Sequence, residues 1–255
     1  MNNLAKVIAL GGRQLNKALA MHYLFAEQGK PKDYVQDGMI SFTDAERGLD
    51  GSTLKNLAGY DYDMTITGSL PYADKGLTFN GMTDNYINVP EFTELANTAE
   101  FTCEMAVNLT NIQTTQRVLF LRNFFEFFVR NGKINSDLHL DGARENLQGN
   151  ANTGFITFAA VFKANSYQRL FINGVQVANT SAASPSSVPV AGAISGNGYP
   201  IANGSKFYNM RVYKRALTDE EIMQNYEIDQ ARFGAETASV MMLDETDTEV
   251  TDDTI

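Results

Sequence analysis

Between Asp37 and about Val212 the hydrophobic pattern repeats every two residues, and that period restricts this chain more than any other feature. A period of two sends alternate side chains to opposite faces of an extended strand. Residues 101–110 show it most cleanly: Phe101, Cys103, Met105, Val107 and Leu109 alternate with Thr102, Glu104, Ala106, Asn108 and Thr110, which predicts a half-buried strand. Comparable runs occur at 39–43, 76–80, 85–89, 116–122, 125–130, 133–140, 154–162, 168–172, 175–179 and 206–213. Asn131-Gly132 and Asn173-Gly174 each stand between two such runs. Both residue types tolerate positive φ, so each pair predicts a tight hairpin. About a dozen short strands with tight turns, and no helix between consecutive strands, predict an all-β protein: two antiparallel sheets packed as a jelly-roll β-sandwich.

The flanks obey other rules. From Gln14 to Gln28, residues Leu15, Ala18, Leu19, His22, Phe25 and Ala26 recur at helical spacing, with Lys17 and Glu27 off the stripe. This predicts an N-terminal amphipathic helix. Residues 1–36 carry more Lys and Arg than acid and read as a docking segment, in which Leu15, Leu19, His22 and Phe25 face a neighbouring subunit. At the other end Thr218-Asp219-Glu220-Glu221 is a capping box, so a short helix starts there. Ile222, Met223 and Tyr226 are its packing stripe, and it is expected to run to about Asp229. Beyond it, Glu236, Asp244, Glu245, Asp247, Glu249, Asp252 and Asp253 occur with no Lys or Arg, the composition of a solvated, flexible tail. The chain thus divides into a helical segment (1–36), a sandwich (37–233) and an acidic tail (234–255).

Composition excludes several functions. A net charge of −10 repels nucleic acid and anionic membrane surfaces. The single cysteine, Cys103, forms no internal disulfide and reads as a buried, inert thiol on its strand's apolar face. Two histidines and one cysteine are too few for structural zinc. No apolar run reaches the ~18–20 residues of a membrane-spanning helix. The short run at 4–10 is interrupted by Lys6 and lacks a cleavage site, so no secretory signal is read and synthesis in a cytoplasm is expected.

Four segments then resemble one known family in order and spacing: DGMISFTDAERG (37–48), LTFNGMTDNYINVP (77–90), RLFINGVQVA (169–178) and GSKFYNMRVYKRALTDEEIMQNY (204–226). They are similar to concanavalin A-like lectin/glucanase domains of the laminin G type. The last segment is the most specific, with a strand ending in Arg211-Val212-Tyr213 and then Arg215-Ala216-Leu217-Thr218 leading into a capped helix. In the hairpin at 170–175, Asn173 stands where the family usually has Asp. The resemblance implies a jelly roll whose concave face and rim loops hold glycans, peptides or calcium, on a fold that hosts lectins, glycosidases and structural domains alike. The helical lead-in and the closing helix at 221–234 are further similar to structural proteins of bacterial viruses. They imply a non-enzymatic virion component (capsid decoration, head fibre or tail surface protein), oligomeric and in contact with host-surface polysaccharide. The alternatives are a free-standing carbohydrate-binding protein and, third, a glycosidase or lyase.

Candidate chemistry is sparse. Laminarinase-like glycosidases carry three closely spaced acids on one strand; the comparable string here, Glu245-Thr246-Asp247-Thr248-Glu249, lies in the acidic tail, so no catalytic residue is assigned. In 133–141, Ile134, Ser136, Leu138 and Leu140 share one face, which places Asn135, Asp137, His139 and Asp141 on the other as a polar ligand surface. Sugars stack on flat rings; without Trp, the loop tyrosines Tyr60, Tyr62, Tyr72 and Tyr199 are the available platforms, Tyr60 and Tyr62 foremost. No cofactor is implied except calcium, for which Asp61, Asp63 and Asp84 supply loop carboxylates.

Overall fold

Positive φ at Asn131 and Gly132 (52° and 75°) and at Asn173 and Gly174 (50° and 75°) closes both hairpins that the sequence predicts. The computed structural model describes residues 33–234 except Asn97, 141–142, 182–190 and Asn197, together with the backbone but not the side chains of Leu140, Ala143 and Arg144. The amphipathic helix bearing Leu15, Leu19, His22 and Phe25, the acidic tail and Asp141 lie outside the described residues. The chain separates into one unit over Met1–Asp33 and a second over Tyr34–Ile255, and the second contains the sheets.

In chain order the strands begin with β1 (Met39–Asp44), followed by a one-turn helix α1 (Ala45–Gly48), β2 (Leu49–Asp50), β3 (Thr53–Leu54) and β4 (Met64–Thr67). Next come β5 (Tyr72–Ala73), β6 (Gly76–Thr78), β7 (Tyr86–Val89), β8 (Glu100–Leu109), β9 (Gln116–Leu121) and β10 (Phe125–Arg130). The series closes with β11 (Lys133–Leu140), β12 (Ala143–Asn150), β13 (Gly154–Lys163), β14 (Tyr167–Ile172), β15 (Val175–Thr180), β16 (Gly192–Ile194), β17 (Lys206–Tyr213) and helix α2 (Asp219–Phe233). Sheet A has the order β15-β14-β13-β8-β17-β6-β5, with β1 also on β17; sheet B has the order β12-β11-β10-β9-β16-β7-β4-β3-β2. The described pairings are antiparallel. This is the expected two-sheet jelly roll.

The core lies between the sheets. Phe101, Met105, Phe158 and Leu170 from sheet A meet Ile87, Leu119, Phe125, Phe127 and Ile134 from sheet B. Phe127 packs edge-on against Phe158 across the gap, with ring centroids 4.8 Å apart. At β16 the spacing is so close that a side chain at Gly192 would fall on the Phe120 carbonyl.

Strand β8 departs from the expected half burial, since Thr102, Glu104 and Ala106 on its second face are buried too. The reason is α2, which packs on the outer face of sheet A through Ile222 and Phe233, alongside Tyr34 and Val35. The capping box at Thr218 and Glu221 forms as expected, but the helix runs on to Phe233. Its buried stripe is Ile222, Asn225, Asp229 and Phe233. Met223 and Tyr226, expected within it, are only half-buried. Two polar residues can occupy that stripe because the sheet beneath is polar. Arg211, 1% exposed, donates to Glu104 Oε2 (2.9 Å) and to Asp229 Oδ2 (2.6 Å). Asn225 donates to Glu104 Oε2 (2.7 Å), and Asn209 and the Tyr34 hydroxyl each donate to Asp229 Oδ1 (2.7 Å). Burial pushes the Glu104 carboxyl upward, and Arg211 beside it opposes that shift.

The same network takes in residues that precede β1. Tyr34 is buried, and the Val35 N–H donates to Asn225 Oδ1 at 2.9 Å. Six strands escape the alternation rule, namely β2, β3, β4, β5, β12 and β16.

Candidate functional site

The Asn131-Gly132 turn fixes the register of β10 against β11, so Glu126 stands opposite Asp137 and Phe128 opposite Asn135. On β11, Ile134 and Leu138 enter the core, which turns Asn135, Asp137 and His139 to the outer face of sheet B as the sequence predicts. Continued across the sheet, the register forms one outward row: Thr65 (β4), Asn88 (β7), Ala193 (β16), Phe120 (β9), Glu126, Asp137 and Asn146 (β12). This row is the candidate site.

Its charged groups hold one another. Arg117 Nε donates to Glu126 Oε2 at 2.8 Å, and His139 Nε2 lies 3.9 Å from Glu126 Oε1. Asn146 donates its side-chain amide to Asp137 Oδ1. Glu126 and Asp137 are 3% and 7% exposed although they face outward, because these neighbours cover them. Arg117 also lies over two rings, its guanidinium carbon 4.4 Å from the centre of Phe120 and 5.2 Å from that of Tyr199. The Tyr199 loop is tied to β9 by the Arg117 N–H to the Tyr199 carbonyl (2.9 Å) and the Ser195 N–H to the Arg117 carbonyl (3.1 Å). At the far end Asn88 Nδ2 donates to Thr67 Oγ1 (2.8 Å). The face therefore offers amides, hydroxyls, fixed carboxylates and an exposed tyrosine ring at its rim, a set suited to a neutral polyhydroxylated ligand.

The remaining predicted residues fall elsewhere. Tyr62 is buried, with its hydroxyl 2.8 Å from Thr93 Oγ1 and its ring edge-on to Phe92. Tyr60 stacks on it and stays exposed. Their loop precedes β4, five strand positions from β11 and so about 24 Å along the sheet. They do not share a site with Asp137. Asp63 takes Lys55 Nζ (2.9 Å) and the Asn56 N–H (2.8 Å), and both bonds hold its carboxyl below the usual range. Asp84 takes the Asn85 side-chain amide at 2.7 Å. Asp61, Asp63 and Asp84 form no common cluster: among the described residues no three His, Cys, Asp or Glu side chains converge as the ligands of a metal ion.

Sequence reasoning missed Arg117, Phe120, Glu126 and Asn146. Glu126 was within reach, since a two-residue turn makes residues equidistant from it face each other. Arg117 and Tyr199 are joined only by the tertiary fold.

Next to this face, β12 turns Glu145 inward opposite Leu138. Its Oε2 is buried and has no hydrogen-bond partner among the described residues, and burial raises its carboxyl. A carboxyl raised in the folded state favours folding below the unfolded value of about 4.3 and loses that contribution as pH climbs through the folded value. Glu145→Gln is therefore expected to raise stability at neutral pH and to leave it unchanged in acid, as read from urea unfolding at several pH values.

A family model described as the concanavalin A-like lectin/glucanases superfamily matches residues 80–223. A search of curated proteins finds no significant match. Among solved structures, the receptor-binding domain of botulinum neurotoxin C/D mosaic serotype aligns with a TM-score of 0.65 at 14% identity, over 76% of this chain and 52% of that one. The binding domain of botulinum neurotoxin DC in complex with SialylT gives 0.65 at 9%, over 77% and 52%. The binding domain of botulinum neurotoxin DC in complex with rat synaptotagmin II gives 0.64 at 9%, over the same shares. The chain spans about half the length of these solved chains, and at such identities the likeness is one of fold.

Proposed function

Since the chain belongs to the concanavalin A-like lectin/glucanases superfamily, we propose that it is a non-enzymatic, lectin-like module that binds glycan across the outer face of sheet B. The observation that carries this reading is the outward row from Thr65 to Asn146, polar except at Ala193 and Phe120 and crossing seven strands without interruption. The absence of catalysis in this reading rests on the same contacts: Arg117 holds the Glu126 carboxylate and Asn146 holds that of Asp137, where an acid/base pair has to be turned toward a scissile bond. The solved neurotoxin binding domains, one in complex with SialylT and one with synaptotagmin II, support a recognition role by analogy of fold.

Within that role the module serves as a surface-displayed component of a virus particle. Tyr34 and Phe233 both pack on the outer face of sheet A, so α2 covers that face and not the polar row of sheet B. The test is an array of immobilised neutral and sialylated glycans, with sedimentation of the full chain alongside. Saturable binding is expected, weakened about tenfold or more by Asn146→Ala, which removes an exposed amide of the face, or by Asp137→Ala, which removes the carboxylate that positions it, while the urea midpoint holds. Binding unaffected by both substitutions overturns the site, and chain shortening of a bound polysaccharide overturns the non-enzymatic reading. A strictly monomeric chain favours a free-standing binder over a particle component.

A further inference from the structure

Asn-Gly occurs five times, at 80–81, 131–132, 173–174, 197–198 and 203–204. In this dipeptide the glycine nitrogen can attack the asparagine side-chain amide carbon, because no Cβ stands in the way. The fold separates the four pairs whose asparagine is described. Gly132 N–H donates to the Ile112 carbonyl (2.8 Å) and Gly204 N–H to the Phe79 carbonyl (2.9 Å), so both nitrogens are committed. Asn173 Oδ1 accepts the Thr157 N–H (3.0 Å), which draws its side chain toward β13, and Gly174 is buried against Met223 and Tyr226.

Asn80 differs in its glycine. It is exposed, as Asn131 and Asn203 are, but among the described residues the Gly81 N–H makes no hydrogen bond. Its Oδ1 accepts the Met82 N–H at 3.0 Å. That bond closes an Asx turn whose ring contains the Gly81 peptide, holding the Asn80 side chain on the loop that carries the Gly81 nitrogen and polarising its carbonyl.

We propose that Asn80 is a site of spontaneous self-modification, independent of the binding role. The Gly81 nitrogen forms a bond to Asn80 Cγ and loses its proton; the Cγ–NH2 bond breaks and ammonia leaves, closing a succinimide. Water then opens either carbonyl, leaving aspartate or isoaspartate at that position with no oxidant or reductant consumed. The isoaspartyl form adds an atom to the main chain of the loop feeding β7, where Asn85 takes the Ser69 N–H and Asn88 joins the outward row.

The test incubates the full folded chain in mildly alkaline buffer and maps deamidation by tandem mass spectrometry, with isoaspartate assayed separately. Conversion at Asn80 is expected to be about tenfold faster than at Asn131, Asn173 or Asn203, to rise with pH, and to lose its lead in urea, where the Asx turn is gone. Asn80→Gln is expected to abolish most of the early ammonia release. Equal rates at the four sites, a lead at Asn197, or an Asn80 rate unchanged on unfolding overturns the proposal.

Discussion

Arg211→Ala is expected to lower the unfolding free energy by about 3–5 kcal/mol, because it leaves the Glu104 and Asp229 carboxylates buried against each other without their cation. The side chain bonds both acids and Asn209, and its guanidinium carbon lies 4.4 Å from the centre of the Tyr34 ring. Its loss is therefore transmitted to every group beneath α2. Urea unfolding followed by far-UV circular dichroism measures the cost, and a loss under about 1 kcal/mol would place the pair among weakly contributing surface bridges. The substitution touches neither the inter-sheet core nor sheet B. A body that survives it is expected to shed α2 first, visible as early exchange of the helix amides.

Phe127→Ala is expected to cost a similar ~3–5 kcal/mol by another mechanism, the loss of buried ring area together with an unfilled cavity. The ring is fully buried, 4.7 Å from Phe125 and 4.8 Å from Phe158. Phe125 cannot swing into the gap without leaving its edge-to-face contact with Phe101. Phe127→Leu, which fills most of the space, should recover the larger part of the loss. If the alanine and leucine variants unfold at the same urea concentration, the cavity account fails. Glu126 and Phe128 point to the opposite face, so glycan binding by the folded fraction should be unchanged.

The alternating segments were legible in the sequence because each buries one face against the other sheet, and the two Asn-Gly turns were legible because positive φ selects those residues. Strand β12 was not: no apolar alternation runs through Ala143–Asn150, whose pairing is supplied by β11. Strands of two residues such as β2, β3 and β5 are too short to carry any period. The face of Asn135, Asp137 and His139 came from the period alone, whereas Arg117 and Tyr199 meet only once the chain is folded. Reading α2 for an apolar stripe failed for a related reason. Asn225 and Asp229 are good interior residues only opposite Glu104 and Arg211, and a helix taken by itself says nothing of the sheet it will cover.

The Tyr34 hydroxyl accepts a hydrogen bond from Arg232 Nη1 at 2.9 Å, so side chains from the two ends of the body from 34 to 234 meet. A module whose ends are tied through side chains can be spliced through short linkers into a surface turn of a foreign protein, or closed by one and reopened elsewhere by circular permutation. The Asn173-Gly174 hairpin is a poor place to reopen it, since Gly174 lies under Met223 and Tyr226. The exposed Asn131 turn is the better one.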